Sequence, residues 1–115
     1  LEGIRQRVND DQIEVEQIML FSAASTSSDT PLYSLLVQKI QENYPNAGVA
    51  PSVLGGFTDS HFFRDIDIAS YGFIPVIRTA EQAAGVHGNN ERIGIGAFNQ
   101  GVRIMIDVVE DFATN

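Results

Sequence analysis

Hydrophobic and polar positions along the chain change period several times, and each change marks an element. Leu1 to Val8 reads as the end of a helix, stopped by Asn9-Asp10-Asp11, whose side chains compete for local backbone groups. Gln12 to Leu20 then alternates, with Ile13 and Val15 on one side and Glu14 and Glu16 on the other. That period of two is the pattern of a half-exposed strand. Ser22 to Ser28 is a small polar tract of the kind that forms linkers and hinges.

Asp29-Thr30-Pro31 starts a helix, with Asp or Thr as the cap and Pro in the first turn. Leu32, Leu35, Leu36 and Ile40 form its apolar stripe, and it ends before Pro45, which disfavours helical geometry at Tyr44. Val49 to Leu54 reads as a short strand broken by Gly55-Gly56, and Thr58 or Asp59 is placed to cap a short helix over Ser60 to Arg64. Tyr71 to Ile77 is a second apolar run, expected as a buried strand, with Pro75 weighing against a central position. Arg78 to Asn90 reads as a loop. From about Gly94 a long amphipathic helix follows, its stripe made by Phe98, Val102, Met105, Ile106, Val109 and Phe112. Helices alternating with strands after Asp29 predict an α/β unit with helices packed on a mostly parallel sheet. The serine-rich tract divides it from the helix and strand before it.

Composition adjusts this picture little. With 115 residues, 43% of them hydrophobic and 19% charged, the chain suits one globular domain. No apolar run approaches the ~20 residues of a membrane span. Nothing at the N-terminus has the layout of a secretory signal. Seven scattered basic residues against fifteen acidic ones, a net charge of -8, argue against nucleic acid as a partner. The absence of cysteine removes disulfides, thiol nucleophiles and thiolate metal sites, and leaves the compartment open. Leu1 opens the chain in what reads as mid-helix, without an initiator methionine, as is expected of a truncated or proteolysed chain.

The residues with most chemical potential lie in Gly85-Val86-His87-Gly88-Asn89-Asn90-Glu91-Arg92. This loop follows an expected buried strand, where open α/β sheets place their ligand sites. Glycines on both sides leave the His87 imidazole accessible, and Glu91 is placed to orient the loop or support the ring. From these residues alone a surface histidine in a polar loop is the default, and no HxxxH or HExxH pattern supplies a second ligand. In Gly55-Gly56-Phe57-Thr58-Asp59 the glycine pair lets the backbone approach a ligand, and Thr58 adds a hydroxyl. A plain strand-to-helix turn explains the same residues. His61, beside Phe62 and Phe63, reads as partly buried. Arg64 and Arg78 are either carboxylate clamps or surface partners of nearby acids.

Four segments together resemble the C-terminal region of the zinc-dependent aminoacylase/carboxypeptidase family, in its carboxypeptidase S and N-acyl-amino-acid hydrolase branch. They are VAP at Val49 to Pro51, GFTDSHFF at Gly56 to Phe63, YGFIPV at Tyr71 to Val76 and GVHGNNERIGI at Gly85 to Ile95. The resemblance spans nearly the whole chain, specific in the second half and looser before Pro31. It implies a two-domain protomer whose αβα catalytic domain is interrupted by a smaller α+β lid that also mediates dimerisation. Residues 1–24 would end the lid, 25–28 would be the return hinge, and 29–115 would be the C-terminal part of the catalytic domain.

The same resemblance makes His87 a zinc ligand, and makes Thr58 with Gly55 and Gly56 the contact for a substrate carboxylate. Asp59 and Glu91 would support those two features. Relatives in this branch often carry Arg where this chain has His61, which puts any ion pair there in question. The implied activity is that of a dizinc hydrolase acting on amide bonds next to a free carboxylate, in small peptides or N-acyl amino acids. The remaining ligands, the general base and a lid histidine would lie upstream, so the 115-residue chain alone is expected to be inactive. A metal-free interaction or structural module of the same descent is the alternative, and one part of a nicked enzyme is a third.

Overall fold

In a computed structural model, which describes residues 1–53 and 55–114, five helices appear in the order α1 (Glu2–Val8), α2 (Pro31–Asn43), α3 (Ser60–Arg64), α4 (Ala80–Ala84) and α5 (Ile95–Thr114). Their ends follow local chemistry. Asn9 closes α1 in the left-handed region at φ 42°, its N–H donating to the Arg5 carbonyl. Gln12 N–H donates to Asp10 Oδ1 at 2.9 Å, the side-chain turn expected of that acidic run. Thr30 caps α2 by accepting from Tyr33 N–H at 3.1 Å, with Pro31 in the first turn. At the other end Tyr44 leaves helical geometry (φ −135°, ψ 76°) ahead of Pro45, which disfavours a helical residue before it.

The core is a small cluster where α2 crosses α5. Leu36, Ile104 and Val108 are buried, and Leu32, Leu35, Tyr44, Tyr71 and Phe73 pack around them. At the edge of this contact Lys39 is buried, bridging Asp111 at 2.5 Å and Glu42 at 3.4 Å, and Gln100 donates to Asn43 Oδ1 at 2.6 Å. The α2 stripe therefore faces inward as its spacing predicts. The α5 stripe does not. Phe98, Val102, Met105, Ile106, Val109 and Phe112 remain 41–61% exposed, while Ile104 at 0% and Val108 at 6% hold the core. The helix is apolar around more than half its girth, and α2 covers the side that carries Ile104 and Val108.

Gly101 explains the choice of face. The chain at Pro75 and Val76 lies so close that a Cβ on Gly101 would sit 2.5 Å from Val76 Cγ2 and 3.1 Å from the Pro75 carbonyl oxygen. Only glycine admits that approach. Between residues 73–76 and the outer stripe of α5 runs an apolar groove of about 570 Å³, bordered by Phe98, Val102, Met105, Ile106 and Val109.

The expected sheet is not formed among the described residues. Among the described residues no strand is present, and 12–20, 49–53 and 71–77 are irregular, with no backbone hydrogen bonds joining them. Leu54, the last residue of the second expected strand, lies outside the described residues. The reason is physical: alternation marks a segment suited to a strand, but a strand exists only when a neighbour pairs with its N–H and C=O groups. The expected loop over 78–90 also needs correction, since α4 lies within it.

The shape fits a molecule with few internal neighbours. The radius of gyration is 18.8 Å, against roughly 13 Å for a compact domain of this length. The accessible surface is 9385 Å², against roughly 6,200 Å² for a folded monomer of this mass. No helix among the described residues is long and apolar enough to cross a membrane.

Candidate functional site

The loop that carries His87 is built outward from α4. Thr79 and Gln82 form a reciprocal cap: Gln82 N–H donates to Thr79 Oγ1 at 3.2 Å, and Thr79 N–H donates to Gln82 Oε1 at 3.0 Å. The Thr-x-x-Gln spacing is the sequence signal for this arrangement, and it is the feature that reading 78–90 as a loop overlooks. After α4 the chain makes two successive turns, Gly88 N–H to the Gly85 carbonyl at 2.9 Å and Glu91 N–H to the Gly88 carbonyl at 3.2 Å. A Cβ on Gly88 would approach the Gly85 oxygen to 3.1 Å, so the first turn favours glycine there.

His87 sits at the corner between those turns with φ 62°. The left-handed region is uncommon for a residue with a Cβ, though histidine enters it more readily than most. The conformation is held from below. The His87 backbone N–H donates to Glu91 Oε2 at 3.1 Å, and Arg92 pairs with the Glu81 carboxylate to tie the loop exit back to α4. Glu91 thus acts on the backbone of His87, and the imidazole stands exposed at a braced corner.

The turn at 55–59 is more open. Gly55 and Gly56 have nothing within 4 Å of where a Cβ would lie, so crowding within the chain does not account for them. Asp59 occupies the position before α3 in helical geometry (φ −60°, ψ −16°) and makes no capping bond with its side chain. This corrects the expectation of a Thr58 or Asp59 side-chain cap. A capping side chain folds back onto the helix when its own backbone is extended, and Asp59 is already helical. The first bonds of α3 are backbone ones, from His61 N–H to the Thr58 carbonyl and from Phe62 N–H to the Asp59 carbonyl, each at 3.1 Å.

His61 is partly buried, as its neighbours suggest. Its ring packs among Phe21, Phe57 and Phe62, with centroids 5.0 to 5.8 Å away, and Nε2 lies 3.1 Å from Asp65 Oδ2. Arg64 takes neither role expected of it. Its guanidinium donates to Thr26 Oγ1 and to the Ser70 carbonyl. Arg78 is exposed.

The helices next to the two candidate features, α3 and α4, make no contact with each other. Among the described residues no three His, Asp or Glu side chains come together as a metal site. Nor do His87, Gly55, Gly56 or Thr58 line the apolar groove along α5. What the chain itself presents is one accessible imidazole at a hydrogen-bonded corner and, separately, an open glycine turn.

Sequence comparison supplies the context for these two features. The chain is 29% identical to an N-fatty-acyl-amino acid synthase/hydrolase of Homo sapiens over 119 residues, covering 100% of this chain and 24% of that protein. It is 30% identical to the protein of the same name from Bos taurus over 112 residues, covering 94% of this chain and 22% of that protein. A carboxypeptidase S-like protein of Dictyostelium discoideum is 22% identical over 102 residues, covering 87% of this chain and 20% of that protein. The chain thus spans about a quarter or less of the length of these curated relatives. No solved structure matches it. The model of Peptidase family M20/M25/M40 matches residues 3–111, nearly the full length, and the chain belongs to that family.

Proposed function

We propose that this chain is part of a metal-dependent hydrolase of amide bonds next to a free carboxylate, acting on small peptides or N-acyl amino acids. The observation that carries the reading is the exposed His87 held at a braced left-handed corner, in a chain that belongs to a peptidase family. The names of the relatives, N-fatty-acyl-amino acid synthase/hydrolase and carboxypeptidase S-like, point to the same bond and the same class of substrate.

In this reading His87 offers one neutral imidazole to a two-zinc centre, and Glu91 keeps the loop from relaxing by holding the His87 N–H. One histidine suits zinc chemically but does not complete a site, so the other ligands and the general base come from further chain. When bound, zinc supplies an acidified water and polarises the scissile carbonyl. Thr58 and the backbone at Gly55 and Gly56 bind the substrate carboxylate, and Asp59 supports that turn. Residues 1–24 end a lid and dimerisation domain, 25–28 form its hinge, and 29–115 belong to an αβα catalytic domain. The segments 49–53 and 71–77 pair as strands once further chain lies beside them, and the same chain covers the outer stripe of α5. The 115 residues alone are inactive.

The test is metal content and hydrolysis of N-acyl amino acids by the complete protein and its His87→Ala variant. The variant is expected to lose metal and activity together. Unchanged metal and turnover would remove His87 as a ligand. A complete protein that purifies with neither zinc nor an equivalent metal would replace the hydrolase with a metal-free interaction module.

A further inference from the structure

The serine-rich tract has the composition of a free linker, yet its centre is tied down by two sets of hydrogen bonds. Thr26 Oγ1 donates to the Ser70 carbonyl at 3.0 Å and accepts from the Ser70 N–H at 3.2 Å and from Arg64 Nε at 3.1 Å. Arg64 also reaches the Ser70 carbonyl, from Nε at 3.1 Å and Nη2 at 2.8 Å. One residue along, the Tyr71 hydroxyl donates to the Ser27 carbonyl at 2.6 Å. That hydroxyl is also 2.6 Å from Thr30 Oγ1. Because the Tyr71 proton is committed to Ser27, Thr30 is the donor of this second bond. Thr30 Oγ1 in turn accepts from Tyr33 N–H, the α2 cap. The result is a directed chain from the first turn of α2 through Thr30 and Tyr71 to the tract, and bonds in such chains polarise one another.

We infer that Arg64 and Tyr71 form a latch that sets the direction in which residues 1–24 leave the unit beginning at Asp29, so that the tract is a set hinge and not a free linker. The inference rests on the division at 25–28 proposed above. Arg64 is a positioning residue here: its planar fork meets Thr26 and Ser70 together, and its charge strengthens both contacts. Losing Arg64 leaves Thr26 and Ser70 with fewer partners in a half-buried setting, so its half of the latch loosens.

Hydrogen–deuterium exchange and proteinase K cleavage of the intact protein test it, using Arg64→Gln, Arg64→Lys and Tyr71→Phe. Arg64→Gln is expected to speed exchange of the Ser70 amide and cleavage within 22–28 by roughly tenfold, the scale of a lost charge-assisted hydrogen bond. Exchange within α2 and α5 is expected to stay as in wild type. Arg64→Lys, which keeps the charge without the fork, is expected to fall between the two. Tyr71→Phe is expected to loosen the Asp29 end of the tract while Arg64 still holds Thr26. Wild-type exchange and cleavage in Arg64→Gln would overturn the latch, as would acceleration spread evenly through α2 and α5. None of these readouts uses the protein's own catalytic activity, so a protein that lacked peptidase activity but showed the local change would overturn the proposed reaction and leave the latch standing.

Discussion

Replacing Gly101 with alanine perturbs a place where the chain at Pro75 and Val76 lies directly on a helix backbone. In an unobstructed helix interior the change is favourable by up to about 1 kcal/mol, because alanine gives up less backbone freedom on folding. At 101 the new methyl would lie 2.5 Å from Val76 Cγ2 and 3.1 Å from the Pro75 oxygen. Carbon atoms in contact sit about 3.5–4.0 Å apart, so the overlap with Val76 is roughly 1 Å. Val76 is branched at Cβ and turns aside with difficulty, and the Pro75 oxygen is backbone. Overpacking of this kind costs about 1–3 kcal/mol, which outweighs the helix gain and leaves a net loss of about 1 kcal/mol.

Gly96 is the control, since it lies in the same helix and nothing stands within 4 Å of its Cβ position. Gly96→Ala is expected to be neutral or stabilising, which places the two variants about 1–2 kcal/mol apart. Urea denaturation followed by circular dichroism measures both. Adding Val76→Ala to Gly101→Ala removes the nearer clash, so the double variant is expected to recover part of the loss attributable to overpacking. A Gly101→Ala protein as stable as Gly96→Ala would refute the close approach of residues 75–76 to α5.

Three further outcomes test the local chemistry. Lys39 has its pKa raised above the ordinary 10.5, first by its hydrogen bond with Asp111, so its contribution holds below pH 10.5 and fades as pH climbs through the folded value. Glu42 is lowered from 4.5, first by the hydrogen bond from Gln38, so its contribution holds above pH 4.5 and fades as acid carries the pH down through the folded value. Stability against pH is therefore expected to flatten on the alkaline side in Lys39→Met and on the acid side in Glu42→Gln; curves parallel to wild type would contradict both pairings. Thr79→Ala removes the α4 cap and is expected to destabilise that helix by about 1 kcal/mol, read as faster amide exchange at Gln82 and Ala83. Glu91→Ala frees the His87 N–H; under the proposed role of His87 as a metal ligand, it is expected to weaken metal binding by the complete protein roughly tenfold, as loss of a supporting group does, while Glu91→Gln retains an acceptor and most of the affinity.

Local order was readable from the residues alone wherever neighbours in sequence decide it. The Thr30-Pro31 start of α2 and its stop before Pro45 follow from capping and from the steric demand of proline, and the stripe through Leu36 and the long α5 follow from apolar spacing at the helical period. The Thr79–Gln82 cap is equally local, but its signal lies inside a stretch rich in loop residues. At the candidate site, the pattern around His87 and Glu91 was legible as a motif. The bond from the His87 N–H to Glu91, however, depends on a left-handed corner that residue types alone do not specify.

Tertiary structure decided what distance in sequence conceals. Several faces of α5 are apolar enough to bury, and the approach of Pro75 and Val76 to Gly101, together with α2, selects the one carrying Ile104 and Val108. Thr26 meets Ser70 across 44 positions and Arg64 across 38, converting a tract with the composition of a linker into a held connection. Strand pairing is the opposite case. Alternation at 12–20 and the apolar runs at 49–53 and 71–77 prepare segments for a sheet, but the hydrogen bonds of a sheet belong to pairs, and among the described residues no pair is made.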